Sequence, residues 1–239
     1  MPQQNCYVIF FKAFLLKIKM KFFENSIKLG KNLIISDIHL GLEDTYNIAG
    51  NQIPILVEKL IDKIIELQEK TKTKRLIING DLKHSFSPIK EEFIVLDYFF
   101  KRLGDYFNDF IIIKGNHDTG IDWLSKYGDV LEYKKLYGYT ITHGHKKIEG
   151  KKFIIGHEHP ILKLRDEVGA TIRVKTFLVS DNVIVLPAFS PWSYGNDILQ
   201  HTVSPYTKNI ENFRALVYLD GELLDFGRIS EILKAIKSF

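Results

Sequence analysis

Leu33-Ile34-Ile35-Ser36-Asp37-Ile38-His39 runs from three apolar residues directly into an aspartate and a histidine. Further Asp, Asn and His residues follow the β-type runs 76–78, 111–113, 139–142 and 153–155. Seven of the eight histidines fall between residues 37 and 159. An apolar run without polar alternation predicts a buried strand. Polar residues that follow several such strands gather at one edge of a sheet, where ligand crevices form in open α/β folds.

The chemistry of this cluster favours a metal centre. Asp, Asn and His supply oxygen and imidazole ligands, which suit Mg²⁺, Mn²⁺, Fe or Zn²⁺ but not a cysteine-based structural zinc site. Seven such ligands are too many for one tetrahedral ion, whereas they suit a pair of ions that share a bridging carboxylate. Paired metals about 3.5–4 Å apart are the usual apparatus for in-line displacement at phosphorus.

The five blocks resemble the signature of the calcineurin-like metallophosphoesterase superfamily. They are Asp37-x-His39, Gly80-Asp81, Gly115-Asn116-His117-Asp118, His143-Gly144 and Gly156-His157-x-His159. Within the superfamily, three segments resemble its small, capless archaeal branch: 81–84, 156–160 and 186–191. That branch is related to the ligase-associated DNA-damage-response phosphodiesterases and endonucleases of bacteria.

The resemblance implies a role for each residue of the blocks. One metal would be held by Asp37, His39 and His159, and the second by Asn116, His143 and His157, with Asp81 bridging the two. His117 would stabilise developing charge and help to protonate the leaving oxygen. Asp118 would orient the His117 imidazole, and the alternative for Asp118 is a cap for the following turn.

Other polar and aromatic residues are candidates for contact with the substrate. Lys83 and His84 follow the bridging Asp on one loop, where they would reach a substrate phosphate. His145 lies two positions after a ligand, so on a strand it would share that face and line the cleft; a surface or structural role is the alternative. The aromatic residues of the loop 187–196 would either stack on a base or pack beneath the loop; they are Phe189, Trp192 and Tyr194.

The activity that the resemblance implies is hydrolysis of phosphate esters by attack of a metal-bridging hydroxide. Diesters are favoured, because the chain has no insertion long enough to form a cap over the cleft. The expected substrate is of the nucleotide or nucleic-acid type: nucleic acid, a cyclic nucleotide or a nucleotide-type pyrophosphate. A nuclease is one form of this activity. Two divalent ions are expected, with Mn²⁺ first and Mg²⁺, Fe, Ni²⁺, Co²⁺ or Zn²⁺ as alternatives. The rival functions are a phosphomonoesterase and a non-catalytic interaction scaffold.

The periodicity of the chain indicates an α/β (α+β) fold. Apolar stripes predict helices over 54–70 and from Ser87-Pro88 to about Leu103, the latter with Phe93, Leu96, Phe99 and Phe100 facing inward. Short β-type runs follow Asp129, among them 171–179 as one run. Asp181-Asn182 and Asp220-Gly221 read as hairpin turns, and 230–239 as a short closing helix. Two mixed β-sheets packed face to face and flanked by helices, a four-layer αββα sandwich, fit this order.

Composition sets the remaining expectations. Residues 1–31 contain six Lys and one Glu, which gives this segment a charge of +5. Because the net charge of the whole chain is +4, residues 32–239 carry −1. The near-neutral charge of this larger part argues mildly against tight nonspecific binding of a nucleic-acid duplex. We expect an N-terminal extension over 1–30, of which 1–19 would precede a start at Met20, and a single domain over 31–239. One cysteine, Cys6, fits a reducing cytoplasm. The chain lacks the length of apolar run that a transmembrane helix requires, and a homo-oligomer is one expected state.

Overall fold

A six-stranded sheet carries the first three of the five blocks. The computed structural model describes residues 20–41, 57–87, 90–165 and 171–237. In order across this sheet the strands are β1 (Met20–Phe23), β2 (Ser26–Leu29), β3 (Asn32–Ile35), β4 (Arg75–Asn79), β5 (Asp109–Ile113) and β6 (Gly128–Leu131). The strands β3 to β6 are parallel and β1 to β3 are antiparallel. The blocks that follow β3, β4 and β5 therefore lie at the same edge of the sheet.

Two helices cover the outer face of this sheet. They are α1 (Val57–Thr71) and α2 (Lys90–Leu103), and both lie where the apolar stripes predicted helices. Leu96, Phe99 and Phe100 are buried as expected. The inward orientation predicted for Phe93 is wrong, because its side chain is 39% exposed and stacks on Trp123 at the rim of the core. The first three residues of the helix predicted over 54–70 lie outside the described residues.

A seven-stranded sheet carries the other two blocks. Its strands in spatial order are β16 (Glu222–Arg228), β15 (Arg214–Leu219), β12 (Phe177–Val179), β13 (Val183–Val185), β9 (Phe153–Ile155), β8 (Tyr139–Ile141) and β7 (Lys134–Leu136). The strands β8, β9 and β13 are parallel, and the other pairings are antiparallel. Both predicted hairpin turns join antiparallel strands, β12 to β13 and β15 to β16.

The run predicted over 171–179 is divided between two sheets. β11 (Thr171–Lys175) pairs with β10 (Pro160–Arg165) in a three-stranded sheet that also contains β14 (Asn196–Asp197), whereas β12 belongs to the seven-stranded sheet. The change occurs at the buried Thr176, whose amide donates to the Pro160 carbonyl and whose hydroxyl donates to the Val174 carbonyl. The strands β1, β2, β6, β7, β10 and β14 were not expected from the sequence. The first two lie within the predicted N-terminal extension over 1–30, yet they pair with β3 in the six-stranded sheet.

Alternate residues of the central strands face different layers. Leu33 and Ile35 pack against α1 and α2, whereas Ile34 packs between the two large sheets. On the far face of the seven-stranded sheet, Ile155 packs with Ile229 of α3 (Ile229–Lys237). This arrangement confirms the predicted four-layer αββα sandwich, and it explains why β3 to β5 are continuously apolar. No helix among the described residues is long and apolar enough to cross a membrane.

Candidate metal centre

Seven side chains from five loops converge where the two large sheets meet. The loops follow β3, β4, β5, β8 and β9, and the backbone joins them: the amides of Asp37 and His39 donate to the carbonyls of Gly80 and Asp81, and the Gly156 amide donates to the His143 carbonyl. The seven side chains are those that the blocks predict as ligands: Asp37, His39, Asp81, Asn116, His143, His157 and His159.

The first group of ligand atoms surrounds Asp37. His159 Nε2 lies 3.1 Å from Asp37 Oδ1 and 3.3 Å from His39 Nε2. His39 Nε2 is also 3.9 Å from Asp81 Oδ2. The ligand atoms of these four residues all lie within 4.8 Å of one another. Two carboxylates and two imidazoles at this spacing are an oxygen and nitrogen donor set that a divalent cation can fill.

The second group surrounds His143. Its Nε2 lies 3.3 Å from Asp81 Oδ2, 3.1 Å from Asn116 Oδ1 and 3.2 Å from His157 Nδ1. Asp81 therefore belongs to both groups, as a bridging carboxylate must. The donor chemistry fits two divalent cations, one in each group.

Five of the ligand residues adopt a backbone conformation that L-residues avoid. The φ angles of Asp37, His39 and Asp81 are 55°, 51° and 45°, and those of His157 and His159 are 63° and 46°. Each such residue costs on the order of 1–3 kcal/mol and persists only where the surrounding structure imposes it. This concentration of strain is characteristic of a functional site rather than of a structural cluster.

Two glycines of the blocks allow the ligands to approach the backbone. A Cβ at Gly115 would lie 2.1 Å from Asp81 Oδ1 and 2.3 Å from the Asp81 amide nitrogen. A Cβ at Gly156 would lie 1.7 Å from Ser36 Oγ and 2.5 Å from Asp37 Oδ2. Any side chain at these positions would displace a ligand, so the glycines belong to the site.

Hydrogen bonds behind the ligands orient them. Ser36 Oγ lies 2.6 Å from Asp37 Oδ2, and Ser193 Oγ lies 2.9 Å from His159 Nδ1. The amides of His157 and His117 donate to the carboxylates of Asp37 and Asp81. Partners of this kind fix the orientation of the metal-binding imidazole and carboxylate groups. Sequence reasoning did not assign this role to Ser36 or Ser193, and no motif marks Ser193.

The buried carboxylates control the charge of the site. Burial alone would raise the pKa of Asp37, but the imidazoles of His159, His143 and His39 hold it well below its usual range. Burial opposes protonation of His143, yet its hydrogen bond to Asp81 and the charge of Asp37 raise its pKa to about 9. Burial lowers the pKa values of His39 and His157 to about 4, which keeps these two imidazoles neutral and available as ligands at pH 7.

His117 lies beside the two groups. Its Nε2 is 3.8 Å from Asp81 Oδ2, and its Nδ1 is 2.5 Å from the carbonyl oxygen of His84. Because a carbonyl can only accept, Nδ1 carries a proton and Nε2 is the nitrogen directed to the cluster. When the ring is cationic and both nitrogens carry a proton, this orientation presents the Nε2 proton to a group bound at the cluster.

The structure corrects the role expected for Asp118. Its carboxylate accepts hydrogen bonds from the amides of Leu82, Lys83 and Gly115, at 2.9, 3.2 and 2.8 Å. The His117 imidazole is oriented by the His84 carbonyl instead. Asp118 therefore joins the loops that follow β4 and β5, and neither orienting the imidazole nor capping the next turn describes it. Burial raises the pKa of this carboxyl to about 6.

Of the two candidate substrate contacts on the loop after β4, Lys83 is buried and His84 borders the cluster. The side chain of Lys83 is only 2% exposed, and its ammonium contacts the Ser85 carbonyl and lies 3.8 Å from Glu92 Oε2. Because its ammonium is buried and paired with Glu92, Lys83 is not available to contact a substrate phosphate, and that prediction is wrong. The His84 ring lies 5.9 Å from the His117 ring and 5.6 Å from the His39 ring, so it borders the cluster.

His145 also borders the cluster, although not for the reason expected. The strand β8 ends at Ile141, and Gly144 has a φ of 104°, so His143 and His145 do not share a strand face. The bend nevertheless leaves the His145 ring 5.3 Å from His143 and 6.1 Å from His157. Its Nδ1 is buried and has no hydrogen-bond partner within the described parts of the chain.

The aromatic residues divide into core and surface. Phe189 is fully buried, and Trp192 packs against the same core beneath α1 and α2. Tyr194 is 70% exposed. Sequence reasoning missed Phe86, which is 58% exposed and stacks on His117 with ring centroids 3.8 Å apart. A phenylalanine five residues after a bridging Asp has no motif of its own.

Comparisons with known proteins identify the family of the chain and a solved structure of similar fold. The sequence model of the calcineurin-like phosphoesterase family matches residues 31–218. No curated protein matches the chain. Among solved structures, the nuclease MPE of Pseudomonas putida superposes with a TM-score of 0.63 at 22% identity, over 85% of this chain and 92% of its own. The protein of unknown function AQ665 from Aquifex aeolicus gives a TM-score of 0.36 at 18% identity, over 53% of this chain and 77% of its own.

Proposed function

Since the chain belongs to the calcineurin-like phosphoesterase family and is thus a metal-dependent phosphoester hydrolase, we propose that it hydrolyses phosphodiesters of the nucleotide or nucleic-acid type. The observation that carries the proposal is the pair of ligand groups that share Asp81. We assign Asp37, His39 and His159 to one divalent cation and Asn116, His143 and His157 to the other, with Mn²⁺ as the first ion to test. When bound, such ions neutralise phosphate charge and acidify a water molecule.

The charge around the cluster favours a diester over a monoester. Within the described residues, none of the hydrogen bonds and ion pairs of the seven ligand side chains involves a Lys or Arg side chain. A monoester carries about −1.5 to −2 at neutral pH, whereas a diester carries a single negative charge. The ligand side chains therefore bring no Lys or Arg to balance the second negative charge of a monoester, which favours the less charged diester.

His117 supplies the acid that a diester needs. An alkoxide leaving group is a poor one unless it is protonated as the ester bond breaks. His117 Nε2 faces the cluster while Nδ1 is held by the His84 carbonyl. We therefore assign His117 the transfer of a proton to the leaving oxygen, and His84 and His145 the borders of the substrate site.

The fold neighbour gives the class of diester to test first. The Pseudomonas putida protein of this fold is described as a nuclease. For the present chain, nucleic acid is accordingly the first diester to try after small chromogenic substrates.

The experiment compares bis-p-nitrophenyl phosphate with p-nitrophenyl phosphate, using metal-stripped protein to which Mn²⁺ is returned. Turnover of the diester well above the monoester is expected, with none before Mn²⁺ is added. Preference for the monoester would make the protein a phosphomonoesterase, and silence on both substrates with two ions bound would favour a scaffold. Asp81→Asn is the control, since it weakens both ligand groups and should lose turnover of either substrate.

A further inference from the structure

The aromatic ring of Phe86 is placed unusually for an apolar side chain. Its side chain is 58% exposed, although phenylalanine is among the residues most often buried in the core. It lies on the loop that begins with Asp81 and passes through His84, and it stacks on His117 at 3.8 Å with an interplanar angle of 28°. One face of the ring therefore covers the imidazole that we assign as the acid, and exposed ring surface remains.

The backbone of Phe86 is held from the opposite loop. The hydroxyl of Thr119, two residues after His117, donates to the Phe86 carbonyl. The loops that follow β4 and β5 are thus joined at Phe86, in addition to their connection through Asp118. Held in this way at the backbone and the ring, Phe86 offers a preformed flat surface rather than a side chain that must be ordered on binding.

We propose that Phe86 is the subsite for the flat part of the leaving group, with a nucleobase as the group it takes. The inference rests on the proposed function, because it places the leaving oxygen at His117 Nε2. A leaving group that receives its proton there departs past the His117 ring. Of the described aromatic rings beside His117, Phe86 is nearest and presents exposed ring surface. Stacking on an aromatic side chain tolerates any base, since every base has a flat face.

The test uses a dinucleotide and its abasic counterpart. Product analysis of the wild-type reaction identifies which nucleoside leaves, and the counterpart lacks the base on that side. The wild-type protein with Mn²⁺ should prefer the base-bearing substrate in kcat/KM by about tenfold to a hundredfold, mainly through KM. Phe86→Ala should reduce that preference to about one, whereas Phe86→Trp should keep or increase it.

The ratio of the two substrates separates stacking from support of His117. Loss of the ring in Phe86→Ala also removes a neighbour of His117, but a change in the acid slows both dinucleotides equally and leaves their ratio unaltered. Tyr106→Ala is the matched control, because this tyrosine is 39% exposed and precedes β5, at the opposite edge of the sheet. It should keep the wild-type ratio.

Two outcomes would overturn the subsite in different ways. If Phe86→Ala hydrolyses both substrates with an unchanged base preference, Phe86 is not the base subsite. The proposed phosphodiesterase activity would still stand. Hydrolysis of neither dinucleotide by the wild-type protein would reject nucleotide diesters as substrates and the subsite with them. The chromogenic assay distinguishes the second outcome from loss of the metal centre.

Discussion

At the scale of the residue, orientation matters more than identity. His117 and the ligand His143 are both imidazoles near Asp81, yet His143 directs Nε2 into the second ligand group at 3.3 Å from Asp81 Oδ2. The Nε2 of His117 remains 3.8 Å from the same oxygen, and its Nδ1 is tied to a carbonyl. The same side chain thus has two different proposed roles.

His117→Ala tests this distinction. The variant should retain the metals of the wild-type protein, because His117 is not an assigned ligand, and its kcat should fall by about 10²–10⁴ if the imidazole acts as an acid. Metal analysis and steady-state kinetics on a dinucleotide, whose leaving group is an alkoxide, measure the two effects. Bis-p-nitrophenyl phosphate should be slowed much less, because its p-nitrophenolate leaves without a proton. His201→Ala removes an exposed histidine far along the chain and should change neither. Loss of both metals from His117→Ala would contradict the assignment.

At the scale of the element, side chains that join loops hold the site in shape. Asp118 connects the loop after β4 to the loop after β5 through three backbone amides. Lys175 connects β11 to the loop 188–190, because its ammonium donates to the carbonyls of Ala188 and Ser190. The amides of Phe189 and Ser190 in turn donate to the carbonyls of Ser36 and Asp37. The ligand loops are therefore supported from several elements.

Asp118→Ala should act on stability. Three amides would lose their acceptor, and each buried group left without a partner costs about 1–3 kcal/mol, so urea unfolding should show a loss of at least about 2 kcal/mol. Asp118→Asn retains an acceptor oxygen and should lose less. The acid limb of the pH–rate profile should not move in Asp118→Asn, because the carboxylate does not contact the His117 ring. If the pH–rate profile of Asp118→Asn shifts while its stability is unchanged, Asp118 does orient the His117 imidazole.

Lys175 should make stability depend on pH in the alkaline range. Burial, aided by the charge of Lys63, lowers the pKa of Lys175 from 10.5 to about 7. Between these values the unfolded chain binds a proton that the folded protein does not, so the free energy of unfolding falls as pH falls from 10.5 toward 7. Lys175→Met should flatten that slope in urea unfolding at several pH values. Lys163→Met, on the exposed side of β10, should leave the slope of the free energy of unfolding against pH unchanged. Equal slopes in both variants would show that Lys175 is not the source of the pH dependence.

At the scale of the whole molecule, the site exists only because two sheets meet. Asp37 comes from the six-stranded sheet, and its carboxylate accepts from the amide of His157, which is 120 residues later and follows a strand of the other sheet. Metal ions bound at this junction would hold the sheets together as well as the loops. Binding of the ions is thereby coupled to global stability.

Metal removal should lower the melting temperature. At a free Mn²⁺ concentration of about 100 times Kd, one bound ion adds about 2.7 kcal/mol, which corresponds to a rise of about 5–10 °C for a chain of this size. Calorimetry of the metal-stripped protein with and without Mn²⁺ measures the difference. Asp81→Asn should show a much smaller rise. An equal rise in that variant would mean that the ion binds elsewhere.

The layers of the fold and the set of residues that converge could be predicted from local sequence patterns. Both follow from short-range patterns, namely continuous apolar runs that must be buried on both faces and polar residues placed directly after them. The predicted αββα sandwich is confirmed, and helices are found where the two apolar stripes predicted them. The division of 171–179 between two sheets was missed, because both halves have the same β-type composition.

The contacts of the neighbouring side chains depend on how distant segments pack, and no local pattern predicts them. Lys83 became a buried partner of Glu92, Asp118 became a link between loops, and Phe86 came to lie on His117. Each of these contacts joins residues that no local periodicity relates. Their partners are selected by how the loops at the ends of parallel strands pack together, and that packing depends on the whole molecule.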